Sequence, residues 1–220
     1  MSSISVAGDV SGAISIAAPS AAGSGVLTLP TGTDTLVGKA TTDTLTNKSI
    51  AATQLTGTIA ASVLPAGSVL QVVQGYTSAS FTTTSGTLVD ITGLTATITP
   101  ISSNSKILVM TTLNHSESAS TPYPLLVLLR GATQIALGDA IGSAQRSSMG
   151  GWGGSTAGAG TLYQGTLNYL DSPATTSPTT YKWQVLTFSS RTFYFNRSES
   201  TADAQTRSAP SSIILMEVAG

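Results

Sequence analysis

Along most of this chain apolar residues alternate with polar ones in short runs, and Gly, Pro, Ser or Asn falls in nearly every gap. A period of two with frequent turn residues marks short strands rather than helices. From residue 69 onward the pattern predicts strands at Val69–Gln74, Ser80–Thr84, Thr87–Ile91, Thr95–Thr99, Lys106–Leu113, Leu125–Arg130, Gln134–Leu137, Thr161–Leu170, Thr179–Phe188, Thr192–Asn196 and Ser212–Val218. Many short strands so spaced, with no helix among them, point to a β-sandwich or jelly roll. The alternation also assigns faces: Tyr181, Trp183 and Val185 share one side of their strand, Lys182 and Gln184 the other. Phe193 and Phe195 repeat that pattern. The last strand, Ile213-Ile214-Leu215-Met216, is apolar on both faces, as expected of a central strand or of one whose outer face meets another subunit.

The aromatic residues divide the chain. None occurs before Tyr76, and all twelve lie between there and Phe195. Large side chains dominate core energetics, so residues 1–67, built of Ala, Gly, Ser, Thr and scattered aliphatics, bury little area alone. They are expected to form an extended, β-rich oligomerisation arm that shares its apolar positions with other copies of itself. Short strands are expected at Ser5–Val10, Ala13–Ala18 and Gly25–Leu29. Thr33-Asp34-Thr35-Leu36-Val37-Gly38-Lys39-Ala40 returns nine residues later as Thr42-Asp43-Thr44-Leu45-Thr46-Asn47-Lys48-Ser49, which suggests stacked turns of a stalk. Leu55, Ile59 and Val63 recur every four residues around Gly57, fitting either a short amphipathic helix or a bend in an extended arm. Pro65-Ala66-Gly67 reads as a turn, and residues 68–220 as the compact domain. The fold class is thus all-β: an arm over 1–67, then a β-sandwich or jelly-roll head over 68–220.

Composition narrows the function. Charged residues make up 9 % of the chain while Ser and Thr reach roughly 30 %, so the surface is neutral and hydroxyl-rich. With a net charge of −1 and scattered Lys and Arg there is no basic stripe for a nucleic acid. At 40 % hydrophobic residues the chain is not of the disordered type. No cysteine is present, which removes disulfides, thiol nucleophiles and thiolate metal sites. Residues 1–10 carry neither a basic nor a continuous apolar stretch of the secretory kind, and the longest aliphatic run, Leu125–Leu129, is far too short to span a bilayer. No membrane insertion is expected.

Candidate chemistry is sparse. His115, the one histidine, has Glu117 two residues on, but neither further ligands nor a nucleophile accompany them at a useful spacing. The ten carboxylates are dispersed, and Asp171 in Leu170-Asp171-Ser172-Pro173 reads as a turn cap. No enzyme activity, cofactor or metal is expected. The glycine-rich stretch from Met149 to Gly160 neither follows a strand nor opens a helix, so it is not a phosphate-binding loop. It carries Trp152, which either stacks on a sugar or protein partner or folds back as a plug over the core or a subunit interface. Three N-x-S sequons begin at Asn47, Asn114 and Asn196; a chain so rich in serine produces these by chance.

Residues 32–50, with Thr33-Asp34-Thr35-Leu36-Val37-Gly38 and Thr44-Leu45-Thr46-Asn47-Lys48, resemble the N-terminal parts of tail-fibre proteins from phages of aquatic bacteria. Residues 69–218 are similar to the compact β-domain often found behind them, chiefly at Leu170-Asp171-Ser172-Pro173, Tyr181-Lys182, Asn196-Arg197-Ser198 and Ile213 to Val218. The resemblance implies a homotrimer, with a head patterned like the jelly rolls of tumour-necrosis-factor-like trimers. It implies a virion structural protein, bound to other virion proteins by residues 1–67 and to a host-surface glycan or protein by loops of the head. Trp152, Tyr123 and Arg146 are the candidate receptor-binding residues. A capsid decoration protein is the alternative, and a polysaccharide depolymerase a third.

Overall fold

The computed structural model describes residues 3–7, 13–17, 49, 53, 57, 59–118, 124–150, 161–202, 204 and 206–220. The chain divides into two units, residues 1–56 and 57–220. In the first, β1 (Ser3–Ala7) and β2 (Ala13–Ala17) pair antiparallel. Their register sets Ile4 opposite Ile16 and Val6 opposite Ile14, positions whose β-branched residue types favour the extended backbone. The expected strand Gly25–Leu29 and the nine-residue repeat, apart from Ser49, lie outside the described residues.

The second unit is all-β, with two antiparallel sheets. The strands are β3 (Val69–Thr77), β4 (Phe81–Thr83), β5 (Val89–Ile98), β6 (Lys106–Glu117), β7 (Leu125–Arg130), β8 (Thr133–Ile135), β9 (Tyr163–Asp171), β10 (Thr179–Leu186), β11 (Phe193–Phe195) and β12 (Ser211–Val218). The smaller sheet has the order β5-β10-β7-β8. In the larger, β6 pairs with β9 on one side and with β12 and then β11 on the other, while β3 flanks β12 and β4 flanks β11.

Alternation puts one face of each strand inside. Tyr181, Trp183 and Val185 of β10 pack with Ile91, Leu94 and Ile98 of β5, Leu126 and Leu128 of β7, Ile107, Val109 and Leu113 of β6, Phe193 and Phe195 of β11, and Ile213 and Leu215 of β12. All belong to one core, to which both sheets contribute. Trp183 is its largest buried side chain. The expected faces of β10 and β11 are those observed.

Several boundaries differ from expectation, each for a physical reason. Thr87–Ile91 and Thr95–Thr99 are one strand, β5, not two. Its register jumps where Lys182 faces Thr95 and Gln184 faces Asp90, so a bulge takes up the extra residues around Gly93, whose φ of +87° suits glycine. β8 ends at Ile135 because Ala136 turns left-handed, at φ 54°. β6 continues to Glu117, because Asn114, His115 and Ser116 are buried polar residues and Glu117 is partly buried beside them, not loop. Of the two alternatives left open around Ile59 and Val63, the described residues show a 3-10 turn at Ala61–Val63 with Ile59 and Val63 exposed, as a bend requires, while Leu55 lies outside the described residues. Asp171 does not cap a turn: it is a buried, inward-facing residue of β9, accepting from Arg130 Nη1 at 2.9 Å and from the Tyr181 hydroxyl at 2.6 Å.

The strand directions define two ends of this unit. Residues 57–68 join at one, where the Gly67 N–H donates to the Ala219 carbonyl and the Ala219 N–H to that of Ser68, both at 2.8 Å. Lys106, Asp171, Thr179 and Val218 lie at the same end by register. The other end carries β4, β11, the end of β6 and the connections that follow Thr77, Glu117, Leu186 and Phe195.

Candidate functional site

That second end is built around Asn196. It follows β11 with φ of 60°, a left-handed conformation that asparagine tolerates better than most residues, and it is 1 % exposed. Its Nδ2 donates to the carbonyls of Thr77 and Ala79 at 2.9 and 3.0 Å, and its Oδ1 accepts from the Ser211 hydroxyl at 2.6 Å. Its backbone N–H donates to the Asn114 carbonyl at 2.8 Å, and its own carbonyl accepts from Ala209 N–H. One residue therefore ties the β3–β4 turn and β12, through its side chain, to β6 and the β11–β12 connection, through its backbone. The next buried peg is Ser198, whose hydroxyl accepts from the Arg207 N–H and donates toward the carbonyls of Arg207 and Ser200.

These pegs frame a cleft of about 310 Å³ between the β3–β4 turn, which supplies Ser78 and Ser80, and the β11–β12 connection, which supplies Arg197, Ser200, Thr201 and Arg207. The Arg197 guanidinium sits 4.4 Å from the Tyr194 ring centre, and its Nη1 donates to the carbonyls of Ser198 and Glu199. Arg207 Nη1 donates to the carbonyls of Ala204 and Thr206. Both side chains are thus held by their own loop through Nη1, and among the described residues their Nε and Nη2 have no hydrogen-bond partner. Among the described residues no carboxylate lines the cleft and neither arginine is in an ion pair.

Trp152 and Tyr123, two of the three expected receptor-binding residues, lie outside the described residues. Arg146 is exposed and donates from Nε to the Gly138 carbonyl at 2.6 Å; it does not line the cleft. Arg197 and Arg207 were not singled out, although Asn196-Arg197-Ser198 is one of the sequons. The sequon itself is blocked at two positions, since the amides of Asn114 and Asn196 are both buried and hydrogen-bonded, Asn114 Nδ2 to the Pro210 carbonyl at 2.6 Å.

Below the cleft His115 and Glu117 face inward from β6. His115 stacks on Phe193 with ring centres 5.4 Å apart, and its Nδ1 is 3.7 Å from Glu117 Oε1. Among the described residues neither imidazole nitrogen has a hydrogen-bond partner. Burial pushes His115 down to about 4 and Glu117 up to about 8. Both groups are therefore neutral near pH 7. No group of three His, Cys, Asp or Glu among the described residues is placed to hold a metal ion.

A second surface is apolar. On the outer face of the larger sheet the registers align Val72, Met216, Leu108 and Leu170 in one row across β3, β12, β6 and β9. Val72 is 55 % and Leu170 50 % exposed, with Met216 and Leu108 half-buried. Ile214 and Met110 continue the patch in the next row, where Gln74 and Asn168 flank them. No helix among the described residues is long and apolar enough to cross a membrane. Comparison with known proteins finds no matching family model and no matching curated protein.

Proposed function

We propose that the protein is a virion structural protein, a homotrimeric tail fibre or short fibre of a bacteriophage whose second unit is a jelly-roll-like head. Residues 1–67 attach it to the particle, and the loops at the far end of the head contact the host surface. One observation carries this reading: the chain enters the head at one end, while the locked polar cleft and the longest connections lie at the other. A fibre needs that separation of attachment from recognition, whereas an enzyme needs convergent reactive groups, and the described polar residues converge only on backbone and on one another. The Val72–Met216–Leu108–Leu170 row supports self-association, because a continuous solvent-facing apolar row over four strands is stabilised by burial against another surface.

The test has two parts. Light scattering on the purified chain at micromolar concentration should give three times the 22.1 kDa chain mass; a monomer would refute the trimer. Virion reconstruction should place the chain on the tail. Density over capsid threefold or quasi-threefold positions would instead favour a decoration protein, and release of reducing ends from host polysaccharide a depolymerase.

A further inference from the structure

We infer that the cleft between the β3–β4 turn and the β11–β12 connection binds an anionic sugar unit, a ring of hydroxyls bearing a carboxylate or phosphate. This deepens the host-contact reading and rests on it. Two of the chain's five arginines, Arg197 and Arg207, line one cleft in a protein with only 9 % charged residues. Among the described residues no carboxylate lines that cleft and neither arginine is in an ion pair, so the two like charges lie side by side with hydroxyl neighbours. A guanidinium with free donors and no acidic partner is a receptor for an oxyanion, since charge-assisted hydrogen bonds are roughly twice as strong as neutral ones. The rest of the lining is hydroxyl: Ser78, Ser80, Ser200 and Thr201 offer donors and acceptors in equal measure, which matches sugar hydroxyls and suits neither an apolar ligand nor a bare metal ion.

The site is also pre-organised. Stacking on Tyr194 and the bonds from Nη1 to the Ser198 and Glu199 carbonyls fix Arg197 before any ligand arrives. Asn196 and Ser198, each 1 % exposed, hold the two walls at a set separation. Ordering costs on binding are correspondingly small. At about 310 Å³ the cleft accommodates one or two sugar units, at the small end of the usual range for ligand sites. Affinity per head is then modest, and several heads on one particle raise it by avidity.

The experiment titrates the full-length protein, by NMR chemical-shift perturbation, with a galacturonic-acid oligosaccharide, a galactose oligosaccharide and glucose-1-phosphate. The acidic oligosaccharide or the sugar phosphate should bind at least tenfold more tightly than the neutral sugar, shift resonances of residues 78–80 and 197–208, and weaken with added salt. Which of the two binds better identifies carboxylate or phosphate as the anion. Arg207→Ala should reduce that binding at least tenfold with its melting temperature unchanged; Arg197→Gln serves as a second variant with the same expectation. Equal binding of neutral and acidic sugars, or no anionic binding up to ten-millimolar ligand, would overturn the inference. If the wild-type protein adsorbs to host cells and the arginine variants adsorb equally well, the cleft assignment fails while the fibre reading stands. If the acidic sugar binds but the virion carries the chain away from its tail, the reverse holds.

Discussion

At the end of the second unit where residues 57–68 join, buried carboxylates are fully met. Asp171 takes the Arg130 guanidinium and the Tyr181 hydroxyl, and Glu217 takes Gln71 Nε2 and the Ile101 N–H, the last at 2.7 Å. Burial pushes the Glu217 carboxyl up, but its hydrogen bonds from Gln71 and from the backbone of Ile101 and Ser102 outweigh it and hold the group below its ordinary value. At the opposite end Glu117 has one oxygen without a partner and a histidine that accepts nothing from it. The same sheet thus holds well-satisfied carboxylates at the end where residues 57–68 join and a neutral, poorly satisfied pair at the end that carries the cleft. Rigidity at the first end comes from charge pairing; at the second it comes from neutral amide and hydroxyl bonds centred on Asn196.

That contrast breaks most sharply at Asp171. Asp171→Ala leaves the buried Tyr181 hydroxyl without an acceptor and the Arg130 guanidinium, 29 % exposed, without its carboxylate. A loss of about 3 kcal/mol is expected, measured by urea denaturation. Tyr181→Phe, which removes one donor and keeps the ion pair, should cost about 1 kcal/mol. A comparable loss in both variants would mean that the tyrosine, not the charge, secures this end.

Asn196→Ala tests the neutral counterpart. It strands the Thr77 and Ala79 carbonyls and the Ser211 hydroxyl, and places a Cβ-bearing residue without local side-chain bonds at φ 60°. A loss of about 2 to 3 kcal/mol is expected. Asn196→Gly should recover roughly 1 kcal/mol of it, because glycine removes the strain and not the missing bonds.

The pH dependence should come from the cleft end. Between pH 4.5 and 6.5 the folded pair holds one proton, on Glu117, and the unfolded pair also holds one, on His115, so their contribution is flat. Above pH 6.5 the unfolded pair holds none while Glu117 stays protonated up to about 8, so stability falls as pH rises through that window. The slope is about 1.4 kcal/mol per pH unit, or roughly 2 kcal/mol in all. Glu117→Gln should abolish this alkaline loss. His115 then acts alone, its stability contribution fully present above pH 6.5 and lost as pH falls toward 4. Denaturation midpoints across pH 5 to 9 in both proteins decide it, and an unchanged slope in the variant would remove Glu117 as the cause.

Much of the framework was legible in the sequence because period-two alternation reports burial directly. Tyr181, Trp183, Val185, Phe193 and Phe195 point inward as their spacing required, and Ile214 and Met216, the outward half of the doubly apolar last strand, lie in the exposed patch. The errors share a cause. Asn114 to Glu117 read as loop because polar residues usually are, yet here they end a twelve-residue strand. Asp171 read as a turn cap because its partner Arg130 is forty-one residues away, and no local pattern announces such a pair. The cleft was hidden for the same reason: Ser78 and Arg207 meet only after Asn196, far from either in pattern, has closed the loops on each other.

The smallest expected effect lies midway between the two ends, on the exposed face of the smaller sheet. Lys182 Nζ and Gln184 Nε2 each donate to Asp90 at 2.7 Å, beside the β5 bulge. The hydrogen bond from Lys182, followed by that from Gln184, holds the Asp90 carboxyl below its ordinary value. This looks like the Asp171 pair in geometry and differs in surroundings, since the Asp90 side chain is 52 % exposed and the Asp171 side chain 5 %. Solvent screens the first and not the second, so Asp90→Asn should cost no more than about 0.5 kcal/mol and less still at 1 M salt. The Asp90 contribution is fully present above the ordinary carboxylate value and is lost as pH falls through the lower folded value, so the two proteins should converge in acid. A loss approaching that of Asp171→Ala would show that the bulge, rather than burial, sets the worth of a carboxylate in this fold.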